Sequence, residues 1–364
     1  MRILYYYSSQ QFDTGSPKAL AGLIDALDRG RHTPLFLASG EGPLVEELER
    51  RGVEIVRGSA GEVTYRQPFD ALRRIVRSAA LLRRLRADVL HVNEFGWNLD
   101  IVLGAALARV PVVLHVHNPL TVDRQNLDRL VADRVLFVSE AHRRSTGHLE
   151  RIAGKTGVLY NPVEIERFES GTPIRPELGL ASSDVVIATV CQITPNKALD
   201  VLLHVARALV PKWPGLRFVI AGRTGRGYEE YAERIYAEAG DPALGGSVRF
   251  IGSRSDVPDV LASADIFFLP TRGETFGMVV AEAMAASLPV VTTRVGGIRE
   301  IVRSPAEGWV LEPDDVPGFI AALDALIGDP ERRTAMGAAA RASLEGRFDR
   351  ASFARTLESV YDSL

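Results

Sequence analysis

Short β-branched runs alternate with longer segments whose apolar residues recur every three or four positions. Arg2–Tyr7 reads as a strand, and Pro17–Arg29 as a helix with Leu20, Leu23, Ile24 and Leu27 on one face. The rhythm continues with strands at His32–Ala38, Val53–Arg57, Val89–Asn93, Val110–Val116, Val135–Ser139 and Val158–Tyr160. Helical patterns at Pro43–Gly52, Phe69–Arg86, Leu99–Ala108 and from Glu140 onward separate several of them. Strand–helix alternation with short connections predicts a parallel sheet covered on both faces.

The rhythm stops at Asn161–Ser183, where Pro162, Pro173, Pro176 and two glycines leave no long periodic segment, as in a linker. A second alternation follows, with strands at Val185–Val190, Arg217–Ala221, Val248–Ile251, Ile266–Leu269, Val290–Thr293 and Trp309–Leu311. Helices are predicted at Leu199–Val210, Tyr228–Ala239, Val257–Ala262, Met278–Ala286, Ile298–Val302, Val316–Ile327, Pro330–Leu344 and Ser352–Ser363. The expectation is an α/β protein of two doubly wound domains joined near residue 165, each binding ligands outside the carboxyl ends of its strands and together facing a cleft.

Composition narrows the class. With 46% apolar and 24% charged residues in 364, the chain is neither disordered nor collagen-like. A net charge of −3 argues against a dedicated nucleic-acid binder. Residues 1–165 carry 22 Lys and Arg against 19 Asp and Glu, and the remainder 21 against 27, so the front is mildly basic and the back acidic. One cysteine, Cys191, excludes an internal disulfide and suits a reducing cytoplasm. No apolar run reaches bilayer length, and the start of the chain lacks the pattern of a secretion signal, so a cytoplasmic location is expected.

Several signatures fail. Ser8–Gly15 after the first strand lacks the G-x-G-x-x-G fingerprint, and Gly222–Gly227 has its glycines in the wrong order. Gly154-Lys155-Thr156 mimics the end of a P-loop, but Leu149 stands where its first glycine belongs. His115 and His117 alternate on a strand with no third ligand at a telling spacing, so no metal site is expected. No G-x-S-x-G elbow is present.

The informative segment is Pro270-Thr-Arg-Gly-Glu-Thr-Phe-Gly-Met-Val-Val-Ala-Glu-Ala-Met-Ala285. A strand ends at Pro270, a glycine-containing loop follows, and a helix starts near Phe276–Met278. Unpaired N–H groups and the positive dipole end at such a start favour an anion. Glu274 precedes that start and Glu282 lies eight residues on. Two acids beside an anion site make sense when the ligand also offers hydroxyls, as a sugar nucleotide does.

This segment resembles the signature of the retaining GT-B glycosyltransferases of family 4, the glycogen synthase and phosphatidylinositol mannosyltransferase superfamily. The likeness extends over nearly the whole chain through Val113–Asn118, Ala132–Glu140, Val158–Phe168, Val248–Gly252, Ala264–Pro270 and Val295–Val302, in the family's order. It implies the GT-B fold: a Rossmann-like acceptor-binding domain at 1–165, a Rossmann-like nucleotide-sugar domain at 166–345, and a terminal helix at 346–364 packing back on the first. It implies an enzyme that moves a hexose from a nucleotide diphosphate sugar of UDP or GDP type to an acceptor hydroxyl with retention and without metal or other cofactor, in polysaccharide, glycolipid or glycoconjugate synthesis. Carried over residue by residue, Glu274 contacts the donor hexose hydroxyls and Phe276, Gly277 and Met278 offer N–H groups to sugar and phosphate. Glu282 holds the ribose, Lys197 neutralises the diphosphate, His117 sits near the donor sugar, and the Asp13–Ser16 loop with Gly15 approaches phosphate or acceptor. No protein nucleophile is named, because in this family the departing phosphate takes the acceptor's proton on the same face.

Two departures stand out. The family's Gly-Arg before the lysine reads Cys191-Gln192 here, and the glycine after it is Ala198. Losing a charge-assisted contact to phosphate weakens leaving-group stabilisation by about 1.5–3 kcal/mol, unless Arg223, Arg226, Arg254 or Arg272 compensates. Gln192 therefore keeps a catalytically weak or silent nucleotide-sugar-binding protein open as an alternative, beside a GT-B epimerase. The acceptor is a saccharide or lipid-linked sugar. The basic amphipathic helix at 69–86 reads either as a solvated surface helix or as a peripheral contact with anionic lipid at the inner face of the membrane.

Overall fold

The computed structural model describes residues 1–12, 15–60, 68–94, 99–118, 131–147 and 150–364. The chain divides into two units, Met1–Pro162 with Arg350–Leu364, and Val163–Asp349. Each is an α/β unit built on one parallel sheet.

The first unit holds β1 (Arg2–Tyr6), β2 (Thr33–Ala38), β3 (Glu54–Arg57), β4 (Val89–Val92), β5 (Val112–Val116), β6 (Arg134–Phe137) and β7 (Thr156–Val158). They pair in the order β3-β2-β1-β4-β5-β6-β7. Successive side chains of a strand point to opposite faces, which explains why the apolar runs are unbroken: both faces are buried. Leu4, Leu35, Leu90 and Leu114 belong to one core. Ile3, Tyr5, Phe36 and Val113 belong to the other, with Leu20, Leu23 and Ile24 of the helix Gly15–Ala26. The helix Arg350–Asp362 joins this second core through Phe353, Leu357 and Tyr361. Its position is fixed by Tyr361 Oη, which lies 2.9 Å from Tyr5 Oη and 2.8 Å from His91 Nδ1, and by Arg31, which pairs with Glu358 and Asp362.

The second unit holds β8 (Val185–Val190), β9 (Leu216–Ala221), β10 (Val248–Phe250), β11 (Ile266–Leu269), β12 (Val290–Thr293) and β13 (Gly308–Leu311). Their order is β10-β9-β8-β11-β12-β13. Its main core gathers Ile187, Phe218, Ile220 and Phe268 with Leu199, Leu202 and Leu203 of the helix Leu199–Leu209 and Phe319, Leu323 and Leu326 of the helix Val316–Ile327.

In both units the strand order reverses direction beside the first strand: between β1 and β4, and between β8 and β11. At such a point the loops leaving neighbouring strands diverge to opposite faces and open a crevice at the carboxyl edge.

The linker segment, which has no long periodic pattern, contains a short helix, Ile165–Glu169, whose buried residues are Ile165 and Phe168. Five residues are too few to show a period. The last strand of the first sheet is Thr156–Val158 rather than Val158–Tyr160, because its pairing with β6 aligns Thr156 with Val135.

Candidate functional site

The crevice of the second unit lies between the loop after β8 and the loop after β11. The first of these ends in a tight turn, Pro195–Lys197. The second runs from Pro270 to Gly277 and feeds the helix Met278–Ala285. Asn196 ties them together: its carbonyl accepts from Arg272 N–H at 2.7 Å and Thr271 Oγ at 3.0 Å, and its Nδ2 donates to Gly273 O at 2.8 Å. Arg272 clamps the same turn from outside through Asp200 (2.7 Å), Asp314 (2.7 Å) and Pro195 O (3.0 Å).

These bonds bring Lys197 and Glu274 into an ion pair, Nζ to Oε1, with side chains 19% and 13% exposed. A lysine has three N–H donors and a carboxylate about four acceptor positions. Pairing uses one of each, so both groups keep capacity for a ligand. Cys191 lies close by. Burial pushes its thiol up to about 12, while Lys197 and Glu274 act on it in opposite directions.

Two glycines make the geometry possible. Gly277, the residue before the helix Met278–Ala285, has φ 105°, a conformation costly for other residues. Gly296 has φ +49°, and a Cβ there would lie 1.6 Å from Glu274 O. The loop after β12 therefore rests directly on the backbone of Glu274. Phe276 is buried, its ring 5.6 Å from that of Phe348. Met278 and Glu282 are half-buried on the helix that follows.

Gln192 is half-buried just after β8. Of the four arginines that could offset its missing charge, Arg254 is paired with Glu177 and Asp256, and Arg272 with Asp200 and Asp314. Arg223 and Arg226 belong to the loop after β9, which is stitched to Ile193 by Ile193 N–H to Arg223 O (2.9 Å) and Gly225 N–H to Ile193 O (3.2 Å). Ala198, which replaces the family's glycine, is buried with φ 52° and ψ 45°.

Among the described residues, the first unit's crevice holds His117, Asn93 and Glu94. His117, just beyond β5, is buried, and its Nε2 lies 3.0 Å from Asn93 Oδ1. Asn93 Nδ2 donates to Ser16 O at 3.1 Å, in the first turn of the helix that Gly15 opens. That leaves Asn93 Oδ1 to accept, so the His117 proton sits on Nε2. Burial first, then the charges of His115, His91 and His142, hold the His117 pKa well below 6.5. Glu94 accepts from Ser8 N–H at 2.7 Å and Ser8 Oγ at 2.6 Å. The residues Asp13 and Thr14 beside Gly15 lie outside the described residues.

Asn93, Glu94, Asn196, Asp200 and Gly296 were missed by sequence reading. Asn93-Glu94 directly follows a strand at the point of reversal, a signal usable once the strand order is known. Among the described residues no group of three or more His, Cys, Asp or Glu is gathered as a metal ligand set.

Two doubly wound sheets, each with a polar crevice at its point of reversal, define a ligand-binding α/β protein of two Rossmann-like units. The family model for glycosyl transferases group 1 matches residues 171–343, and that for glycosyltransferase family 4 matches residues 15–167. The chain belongs to glycosyltransferase family 4 and has the GT-B fold. It is 26% identical over 254 residues to the lipopolysaccharide core biosynthesis mannosyltransferase LpsB of Rhizobium meliloti, covering 64% of this chain and 72% of that one. It is 34% identical over 219 residues to the GDP-mannose-dependent monoacylated alpha-(1-6)-phosphatidylinositol monomannoside mannosyltransferase of Corynebacterium glutamicum, covering 56% and 55%. The match thus spans about half the length of the second relative. The crystal structure of Anabaena Alr3699/HepE in complex with UDP-glucose superposes with a TM-score of 0.85 over 100% of both chains at 20% identity.

Proposed function

We propose that this chain transfers a hexose from a nucleotide diphosphate sugar, of UDP or GDP type, to an acceptor hydroxyl with retention of configuration. The observation that carries the reading is the Lys197–Glu274 pair at the second unit's point of reversal, beside the start of the helix Met278–Ala285. Departure of the nucleotide leaves positive charge on the sugar ring and negative charge on the phosphate. Fixed donors aimed at a developing charge are worth most in a half-buried site. Lys197 and the N–H groups at Phe276–Met278 stabilise the leaving diphosphate, doing what a metal ion does elsewhere. Glu274 accepts from donor hydroxyls and Glu282 from the ribose. The departing phosphate takes the acceptor's proton on the same face, so no protein nucleophile takes part. His117, neutral and protonated on Nε2, keeps Nδ1 as an acceptor toward a sugar hydroxyl; Gly15 and Gln192 line the donor.

The relatives' names support this reading, since LpsB and the Corynebacterium enzyme are mannosyltransferases, one of them GDP-mannose-dependent. The test measures nucleotide release and transfer for UDP- and GDP-sugars, with the product anomer read by NMR. Lys197→Ala and Glu274→Ala are each expected to lower transfer about 10²–10³-fold without loss of fold. Near-wild-type transfer in both variants rejects the site, and an inverted anomer rejects retention.

The acceptor side of the proposal is a saccharide or a lipid-linked sugar reached at an anionic membrane surface. On the helix Pro68–Leu85, Phe69, Leu72 and Val76 are 88%, 59% and 49% exposed, in company with Arg73 and Arg77. An apolar stripe flanked by arginines suits the interface of an anionic bilayer. No helix among the described residues is long and apolar enough to cross a membrane. Co-sedimentation with anionic vesicles, lost on Phe69→Ser/Leu72→Ser and weakened by salt, is the expected result; no sedimentation at low salt removes the membrane contact.

A further inference from the structure

The second unit carries a cavity of about 470 Å³ that the donor reading does not use. Its walls come from the segment after β12, from β13 and from the helix Val316–Ile327. Three guanidinium-bearing residues surround it: Arg294, Arg299 and Arg303. Its apolar side is formed by Val302, Trp309, Leu311 and Ala322. Gly308 also lines it, and a Cβ there would lie 2.3 Å from Val290 Cγ2, so the strand is pressed against its neighbour.

The charge balance of this cavity is unusual for its unit. Residues 163–349 hold 26 acids against 19 bases, yet the cavity gathers three arginines. Two carboxylates stand near. Glu312 takes Arg294 Nε at 3.2 Å, and Glu307 accepts the backbone N–H of Arg303 at 2.8 Å. The side chains of Arg299 and Arg303 make no ion pair within 4.0 Å among the described residues. Each of these two always-charged guanidiniums presents a planar fork of donors matched to a phosphate. An indole beside them offers a flat apolar face to a ring. The volume falls within the range of small-molecule sites.

We propose that this cavity is a second binding site, for a phosphate carried on a ring compound, with the phosphate on Arg299 and Arg303 and the ring against Trp309. Two sources share that chemistry, a hexose monophosphate and a nucleoside monophosphate. Neither Lys197 nor Glu274 lines this cavity, so it can be tested independently of the transfer reading.

The experiment is calorimetric titration of the full chain with a hexose 6-phosphate, UMP and inorganic phosphate. Four proteins are compared: wild type, Lys197→Ala, Arg299→Ala/Arg303→Ala and Trp309→Leu. The expected result is that one or both ring phosphates bind wild type and Lys197→Ala alike. Affinity then falls at least ~10-fold in the double arginine variant. Trp309→Leu weakens the ring phosphate that binds but not inorganic phosphate. Which of the two survives as a ligand of the Lys197→Ala protein tells hexose from nucleoside. The proposal is overturned if neither ring phosphate binds at millimolar concentration, if the double arginine variant binds as wild type does, or if binding disappears with Lys197→Ala. Arg299 and Arg303 are exposed, so the double variant is expected to melt as wild type does; should it not, Arg303→Lys, which keeps charge and loses the fork, serves in its place.

Discussion

The two units share a topology and differ in how their crevices are furnished. Each sheet reverses order beside its first strand, at β1/β4 and at β8/β11. In the second unit that point holds a lysine–glutamate pair, cross-tied loops and a glycine, Gly296, in tight contact with backbone. In the first unit it holds a neutral histidine bonded to an asparagine, with a glutamate held by a serine. Topology therefore provides a place at the sheet's edge, and side chains decide its chemistry. A crevice with a cation suits a diphosphate; one of a neutral imidazole, an amide and a carboxylate suits hydroxyls.

The sharpest way to break this contrast is Gly296→Ala. The added Cβ would meet Glu274 O at 1.6 Å, in a left-handed conformation besides. Neither atom belongs to a flexible side chain, so the loop must move or the unit must yield. The expected cost exceeds about 3 kcal/mol, read as a loss of melting temperature together with loss of donor binding. Gly52 in the first unit gives the control. Its φ is +71° but nothing lies within 4 Å of a Cβ there, so Gly52→Ala is expected to cost only about 1–2 kcal/mol. Equal effects at the two positions remove the claim that the second crevice is sterically fixed.

How much of this was readable in advance follows from the range of the signals. Strands such as Val185–Val190 and Ile266–Leu269 announce themselves because burial on both faces demands unbroken apolar runs. The segment from Pro270 to Ala285 was legible for a similar reason: strand end, glycine loop and helix start are neighbours in sequence. The contacts that shape the crevice are not. Gly296 touches Glu274 across 22 residues, Asn196 binds Gly273 across 77, and Asn93 links His117 to Ser16. No local period encodes such pairs, and they become visible only when the strand order sets the loops side by side. The helix Ile165–Glu169 escaped for the opposite reason, being shorter than the period that would reveal it.

A pH titration separates the units by a smaller margin. His91, His115, His117 and His142 sit in the first unit, and burial lowers the pKa of each. His91, His115 and His117 form a packed group, with ring centroids 5.8 Å apart for His91 and His115 and 4.3 Å for His115 and His117, beside Tyr5 and Tyr361; His142 packs on Phe137 at 5.3 Å. A depressed folded-state pKa means that the unfolded chain binds more protons at intermediate pH. The stabilisation is complete above 6.5 and is lost as pH falls through the folded value, about 4 for His115. That one residue accounts for on the order of 3 kcal/mol. In the second unit the lowered groups are carboxylates: Asp200, Asp241, Asp256 and Asp324, each depressed from 3.8, and Glu229, depressed from 4.5. Their contribution is lost only below those values. Hydrogen exchange read by mass spectrometry is therefore expected to show the first unit, with its docked terminal helix, losing protection between pH 6.5 and 4 while the second keeps it. Simultaneous loss in both units contradicts the assignment.

The smallest effect probes strain at the second crevice. In the first unit the described non-glycine residues with positive φ are Arg86 and Arg109. Each follows a helix and precedes β4 or β5, at the amino edge of the sheet, where such a turn merely ends a helix. Ala198 differs: it is buried, adjoins Lys197 and lies on the carboxyl edge, with φ 52° and ψ 45°. Holding alanine there costs about 1–2 kcal/mol. Ala198→Gly relieves that cost, but it adds about 0.5–1 kcal/mol of chain entropy and forfeits about 0.8 kcal/mol of methyl burial. The terms nearly cancel, so a change within about 0.5 kcal/mol is expected. Ala206, equally buried within the helix Leu199–Leu209, has no strain to relieve. Ala206→Gly is expected to cost about 1.5–2 kcal/mol from helix propensity and the lost methyl together. Chemical denaturation of the two variants reads the difference. If both lose the same stability, Ala198 stores no strain, and the second crevice owes its shape to its glycines and ion pairs alone.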